Sequence, residues 1–392
     1  MRKIGKRLLV GMLLLCFWIS SPVLGAESEV TVQAKGAVLL DGMTGRVLWQ
    51  KNGQEPLAVA STTKVLTALI VLESGQTDQE ATVSARAAAA PKVHLGLKSG
   101  ERYRVGDLLY PLLLESSNDA AVVLAEQVGG SVENFAAKMN AKAKALGAKD
   151  SYFVTPNGLD QDSNHATAED MARILAAAVK REDFCQIAQT ENFTLTQTNG
   201  TRQFSVQNKN RLLTSYEGMI AGKTGYTGLA GQCFVGAAQR GGRRLVVAVL
   251  GCGYGKAGQE QKWKDAQALL DYGFETFSLQ PVIQKRIDLP LVVVKKGQQS
   301  FAELMYENPT ILMKPGEAAA FTYDIELQRE WTAPLPAGTT VGIIHVKDGS
   351  GQPVSVIPIY TSRAVPHRTW LWAFYQVGCW WLNGGMAAKQ GK

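Results

Sequence analysis

The chain has 392 residues, too many for one average domain, and its 46% apolar and 19% charged content is that of a globular protein rather than a disordered or fibrous one. The net charge of +7 is no nucleic-acid footprint, because residues 1–26 hold four basic and no acidic side chains and the remainder carries 37 basic against 34 acidic residues. The cysteines show no CxxC spacing and no nearby histidine cluster, which argues against a metal site, and nothing in the composition calls for a cofactor.

At the start, Arg2, Lys3, Lys6 and Arg7 precede an apolar run from Leu8 to Ile19 and small residues at Gly25 and Ala26. That is the layout of a secretory signal over residues 1–26, so the protein is expected to be exported. An uncleaved anchor is the alternative, since Val23 or Leu24 stands where a smaller residue is preferred at cleavage sites. Two apolar runs around Asp41-Gly42-Met43-Thr44-Gly45 predict a β-hairpin over Ala37 to Gln50. The spacing of Val65, Leu66, Leu69 and Ile70 predicts a helix from Thr62 to about Glu73. Two further helical runs fall between Asp107 and Val128, broken by Glu115-Ser116-Ser117-Asn118, and residues 134–146 and 167–180 are helical by period.

From Gly222 the pattern changes to strands near 222–227, 232–239 and 244–252, then a helix over 260–276. Cys233 and Cys252 flank Arg240-Gly241-Gly242-Arg243, which reads as a two-residue hairpin turn. In that register the two cysteines sit diagonally at roughly 7–8 Å, beyond comfortable bridging, so thiols are expected rather than a disulfide. After Phe277 the helical period disappears, and short alternating strands such as Ile287 to Val294 and Thr340 to Val346 predict an all-β domain over 281–362. The expected fold class is α+β, a helical cluster beside an antiparallel sheet over residues 30–277 followed by that small all-β domain.

Residues 363–392 form the expected tail. Thr369 to Leu382 holds Trp370, Trp372, Trp380 and Trp381, is flanked by Arg363, Arg368, Lys389 and Lys392, and no acidic residue follows Asp348. About fourteen residues cannot span a bilayer, which takes around twenty, but a cation-flanked, Trp-rich segment suits the headgroup interface. The alternative is a helix that plugs a groove of the β domain.

Three short patterns carry the chemistry. Ser61-Thr62-Thr63-Lys64 puts a hydroxyl and an amine three residues apart at a helix start, within mutual reach. A serine hydroxyl is unreactive until a neighbour takes its proton, and desolvation among apolar residues would keep Lys64 neutral for that task. Alone, the pattern reads equally as an N-cap serine followed by a surface lysine. Ser116-Ser117-Asn118, however, falls in the break between two apolar helices, a place for small polar residues that line a cleft. Lys223-Thr224-Gly225 opens a strand where Lys and Thr can hold an anionic terminus while Gly admits its backbone. Each pattern occurs once, in the order SxxK, SxN, KTG.

With these motifs the chain resembles the low-molecular-mass penicillin-binding proteins that act as serine D-alanyl-D-alanine carboxypeptidases. The resemblance runs from about Ala34 to Thr361 and includes Leu57-Ala58-Val59-Ala60, Asn157-Gly158-Leu159, Thr167 to Ala172 and Asn210-Arg211-Leu212-Leu213. Departures are Val59 where proline is usual, Ser117 for glycine, and Asn164 for a histidine, with His165 shifted by one. It implies a β-lactamase/transpeptidase-like catalytic domain in which Ser61 attacks the penultimate D-alanine carbonyl of a peptidoglycan stem peptide ending in D-Ala-D-Ala and Lys64 takes its proton. Ser116 would relay a proton to the leaving D-alanine, Asn118 would bind the substrate amide, and Lys223 and Thr224 would hold the terminal carboxylate, with Arg211 as a weaker candidate. The backbone N–H groups of Ser61 and Tyr226 would form the oxyanion hole, and Gly225 would let the substrate backbone approach closely. β-Lactams would be inhibitors, the tail would touch the membrane surface, and the enzyme would work in the cell wall at the outer face of the cytoplasmic membrane.

Three other readings compete. A Ser-His-Asp triad could draw on His94, His165, His345 or His367, but no GxSxG elbow accompanies them. A β-lactamase needs an extra carboxylate for deacylation, and no ExxLN-like loop or reason for a long β domain fits that enzyme. A slow, non-catalytic penicillin-binding protein is disfavoured because every motif position is intact.

Overall fold

The computed structural model describes residues 30–159 and 163–387, with side chains to Trp381. The signal expected at 1–26 lies outside the described residues.

One five-stranded antiparallel sheet organises the larger part of the chain. Its order across the sheet is Val47–Lys51, Gly36–Asp41, Arg243–Leu250, Gly231–Arg240 and Met219–Thr227. Alternation along the strands feeds two cores. Val38, Leu40, Val235, Val246 and Ala248 face the helices Lys64–Glu73, Val105–Leu114, Asn118–Gly129 and Ala168–Ala178. Leu39, Phe234, Leu245, Val247 and Val249 face Trp263, Ala266, Leu269 and Leu270 of the long helix Gly255–Thr276. A sheet apolar on both faces and covered on both is what these near-continuous Val, Leu and Ala runs require.

The two-residue turn is present: Arg240 pairs with Arg243, and Gly241 and Gly242 take φ +53° and +77°, values that only glycine adopts readily. The thiols of Cys233 and Cys252 are separated for a stronger reason than distance. Gly251, at φ +67°, ends the alternation after Leu250, so Cys233 stays in the helical core while Cys252 turns into the other one.

The expected helix at Thr62 begins differently. Ala60–Thr63 is a 3₁₀ turn, and the α-helix proper is Lys64–Glu73. The helix Glu182–Gln189, which buries Phe184, Ile187 and Ala188, and the hairpin Asn192–Thr196 with Gln203–Gln207, whose strands bury only Leu195 and Val206, are additions to the elements expected from the sequence.

Beyond Phe277 the chain forms a small all-β unit of a two-stranded, a three-stranded and a four-stranded sheet around Val292, Val294, Ile344, Val346, Ile357 and Ile359. The strand expected from Ile287 is confined to Val292–Lys295, since Pro290 has no N–H to give a ladder. Val365, 3% exposed, belongs to this core and pairs with Leu335. Arg46, in the first hairpin's loop, donates to the Glu317 carboxylate and the Leu312 carbonyl and so joins the two units.

The tail forms the helix Trp370–Ala387. Trp370 and Trp381 are 72% and 75% exposed, and Phe374, Tyr375 and Trp380 are equally open, so the helix does not plug a groove of the β unit. Among the described residues no helix is long and apolar enough to cross a membrane.

Candidate active site

Ser61 stands on a turn that two glycines allow other segments to grip. A Cβ at Gly158 (φ +75°) would lie 1.9 Å from the Ala60 carbonyl oxygen, and one at Gly225 would lie 2.9 Å from the Val59 oxygen and 3.1 Å from the Ser61 nitrogen. The loop at 155–159 and the motif strand Met219–Thr227 therefore close on the serine from two sides. Ala60 is itself left-handed at φ +48°, a strained setting for a residue with a Cβ. We expect Gly158→Ala to cost about 3 kcal/mol of stability, through the backbone clash and the positive φ together, read as a lowered denaturant midpoint.

Lys64 begins the helix behind this turn and is wholly buried. Its Nζ lies 2.8 Å from Ser61 Oγ, 2.7 Å from Asn118 Oδ1 and 2.9 Å from the Asn157 carbonyl oxygen. Burial, and next the charge of Lys223, hold its pKa well below the ordinary lysine range, while Asp119 opposes them. A neutral amine has two N–H bonds and one lone pair. The three contacts fit that inventory when the N–H bonds go to Asn118 and Asn157 and the lone pair meets the serine hydroxyl.

Asn118 is positioned by the Pro91 to Leu97 loop. Its Nδ2 donates to the Pro91 carbonyl (3.0 Å) and its backbone N–H to the Val93 carbonyl (2.8 Å). Asp119 ties down the same loop by accepting from the N–H groups of Gly96 and Leu97 at 2.9 and 3.1 Å. Ser116 precedes this helix at φ +71°, and its buried Oγ has no protein hydrogen-bond partner. A strained, unpartnered hydroxyl is the kind of group that functional clefts retain.

On the motif strand, Lys223 is 2% exposed and donates to the Thr224 carbonyl at 3.1 Å. Burial, followed by the charge of Lys262, brings its pKa down to about 7. Thr224 is half-buried on the opposite face of the strand, and the Tyr226 ring is exposed. The Arg211 guanidinium is held at 2.8 and 3.0 Å by the Glu260 carboxylate.

The bonds of Ser61 Oγ run to Lys64 and, at 3.4 Å, to the Asn157 carbonyl, not to a histidine. His94 and His367 are exposed, His165 contacts the Ser163 carbonyl, and His345 faces Glu326. No group of metal-ligating side chains occurs among the described residues. A cleft of about 460 Å³ in the β unit, lined by Arg286, Asp288, Leu291 and Met305 among others, contains none of these motif residues. The acceptor role of Asn157 was absent from the sequence reading, because a backbone carbonyl leaves no mark in residue identity.

The family model of D-alanyl-D-alanine carboxypeptidases matches residues 24–253. The chain belongs to this family. A second model, of the C-terminal domain of penicillin-binding protein 5, matches residues 277–367. The carboxypeptidase is 34% identical over 363 residues to D-alanyl-D-alanine carboxypeptidase DacF of Bacillus subtilis, covering 89% of this chain and 91% of the relative. It is 30% identical to DacC of Escherichia coli, over 84% of each chain. The solved structure of penicillin-binding protein 5 from Haemophilus influenzae superposes with a TM-score of 0.69 at 25% identity, covering 86% of this chain and 98% of that one. The α+β expectation and the serine carboxypeptidase reading therefore hold, and the β-lactamase alternative falls away.

Proposed function

We propose that Ser61 is the nucleophile, Lys64 its general base and Ser116 the proton relay in trimming the last D-alanine from peptidoglycan stem peptides. The observation that carries this reading is the wholly buried Lys64 amine, its pKa held well below the ordinary lysine range, at 2.8 Å from Ser61 Oγ. Lys64 takes the hydroxyl proton as Oγ bonds to the penultimate D-alanine carbonyl carbon. The resulting oxyanion is received by the N–H groups of Ser61 and Tyr226, which the close approach of Gly225 brings to one turn and one strand. As the C–N bond breaks, the proton passes by way of Ser116 to the leaving amine, and water then attacks the acyl-enzyme. Asn118 orients both Lys64 and the substrate amide, and Lys223 with Thr224 receives the terminal carboxylate. Arg211 contributes only if it leaves Glu260. β-Lactams follow the same first step and stall.

Release of D-alanine from a diacyl-L-Lys-D-Ala-D-Ala peptide tests the reading, and absence of release from folded enzyme would overturn it. For the free enzyme, kcat/KM is expected to fall above about pH 7, as Lys223 loses the proton that makes it an anion receiver. A pH–rate profile flat to pH 9 would remove Lys223 from carboxylate binding.

The signal reading and the exposed tail helix support an enzyme exported to the outer face of the cytoplasmic membrane and held there by residues 369–387 lying in the interface. Burying the rings of Trp370, Phe374, Trp380 and Trp381 contributes on the order of 5 kcal/mol at about 25 cal/mol per Å². We place the start of this tail after Arg368, because Val365 is buried in the β unit and Gly297 bridges to His367. A chain ending at Arg368 is expected to stay in solution and to hydrolyse the peptide, while the full mature chain sediments with anionic vesicles. Equal partitioning of the two would remove the tail from membrane attachment.

A further inference from the structure

Three lysines are buried around the sheet, Lys64, Lys223 and Lys262, at 0%, 2% and 5% exposure. Each ammonium or amine bonds to uncharged oxygen: Lys64 to Ser61, Asn118 and Asn157, Lys223 to the Thr224 carbonyl, and Lys262 to Gln232. The mechanism uses the first two. Lys262 lies on the long helix Gly255–Thr276, behind the sheet, where a buried cation is expensive unless something requires it.

Its placement is specific. Lys262 Nζ donates to Gln232 Oε1 at 2.7 Å, and Gln232 pairs directly with Tyr226 of the motif strand. The backbone of Gln232 is pinned on its other side, accepting from Cys252 N–H and donating to the Gly253 carbonyl, each at 2.8 Å. The Lys262 ammonium also lies 4.9 Å from the centre of the Trp263 ring. The titratable groups that act on Lys262 are Glu260 from its own helix, the Cys252 thiol from the turn after Leu250 and, from the opposite face of the sheet, the Cys233 thiol; Lys262 in turn acts on Lys223 of the motif strand. The Gly36–Asp41 strand, also packed on this helix, presents Ala37 and Leu39 to it. Lys223 in turn faces Lys64.

We infer that Lys262 is a positioning residue for carboxylate recognition. Through Gln232 it holds the end of the motif strand, and from behind the sheet it adds positive potential beneath Lys223, so that the cleft discriminates in favour of ligands with a terminal carboxylate. This rests on Lys223 being the receiver of that carboxylate. After burial, the charge of Lys262 is the cause that lowers the Lys223 pKa, so removing that charge raises it. The buried Lys262 charge disfavours the proton on Lys223 until an anion arrives, and that repulsion is relieved by the ligand's carboxylate.

The test compares acylation of the full-length enzyme by benzylpenicillin and by its methyl ester, which lacks the carboxylate, across pH 5–9. In Lys262→Met, acylation by benzylpenicillin at pH 6 is expected to slow roughly tenfold while acylation by the ester changes little. The basic limb of the benzylpenicillin profile should move to higher pH, and Lys262→Arg should restore both the rate and the limb. An equal loss with both probes, or a limb that stays in place, would reduce Lys262 to a structural residue and overturn the inference. If Lys262→Met does not fold, Lys262→Gln removes the charge while keeping a polar contact for Gln232 and carries the same comparison. Should the unmodified enzyme itself fail to distinguish penicillin from the ester, the fault lies with the role given to Lys223 and not with Lys262.

Discussion

Ser61→Ala is expected to abolish covalent capture of a labelled penicillin and to lower peptide hydrolysis by about 10⁴-fold or more. The expectation follows from which hydroxyl has a base. Ser61 Oγ meets a buried amine at 2.8 Å, whereas the buried Oγ atoms of Ser116 and Ser117 have no protein partner to deprotonate them. Replacing a half-buried serine by alanine removes one oxygen and leaves the turn's two glycine contacts untouched, so the melting temperature should hardly move. Intact-mass measurement reads the result directly as the presence or absence of one acyl adduct. An adduct that persists at full stoichiometry in this variant would move the nucleophile elsewhere.

Lys64→Arg is expected to lose acylation by about 10³-fold or more, because a guanidinium stays protonated at any working pH and cannot act as base. Full burial of the position adds a second effect. The larger, charged head must fit where Ser61, Asn118 and the Asn157 carbonyl already converge, at a cost of about 1–3 kcal/mol. Lys64→Met separates the two, since it removes the amine at similar volume and should lose acylation with a smaller change in melting temperature. Near-normal acylation by a folded Lys64→Met enzyme at pH 7 would place the base on another group, with Lys223, also brought toward neutrality, the first to examine.

Much of the fold was legible because its pattern is local. The Val65, Leu66, Leu69 and Ile70 face, the Gly241-Gly242 turn and the apolar runs of the last three strands of the sheet each announce their own geometry. The motif residues were visible as side chains of unusual type in apolar surroundings, and the structure brings Ser61, Lys64 and Asn118 within hydrogen-bond range of one another. What stayed hidden depends on the backbone or on distant partners. The 3₁₀ turn at Ala60 is closely approached by Gly158 and Gly225 from elsewhere in the chain. Asn157 acts through a carbonyl that every residue has. Lys262 resembles any helix-surface lysine until the helix is laid against Gln232. The separation of Cys233 from Cys252 needed the conformation of Gly251, which residue spacing does not encode.

The strand order of the sheet has a consequence for how the protein is made. Gly36–Asp41 is hydrogen-bonded on one side to its sequence neighbour Val47–Lys51 and on the other to Arg243–Leu250, with Gly36 opposite Leu250. As the chain emerges from the ribosome or a translocation channel, the early hairpin exists long before its second partner does. An isolated hairpin is marginal in water, and this one carries an apolar open edge. The larger unit therefore cannot close progressively from its N-terminus, and its folding must wait for residue 250 and then proceed through highly non-local pairing. Any fragment ending short of Leu250 should be a chaperone client or an aggregate, whatever its helices do, while a chain complete to that point has the ladder that seals it.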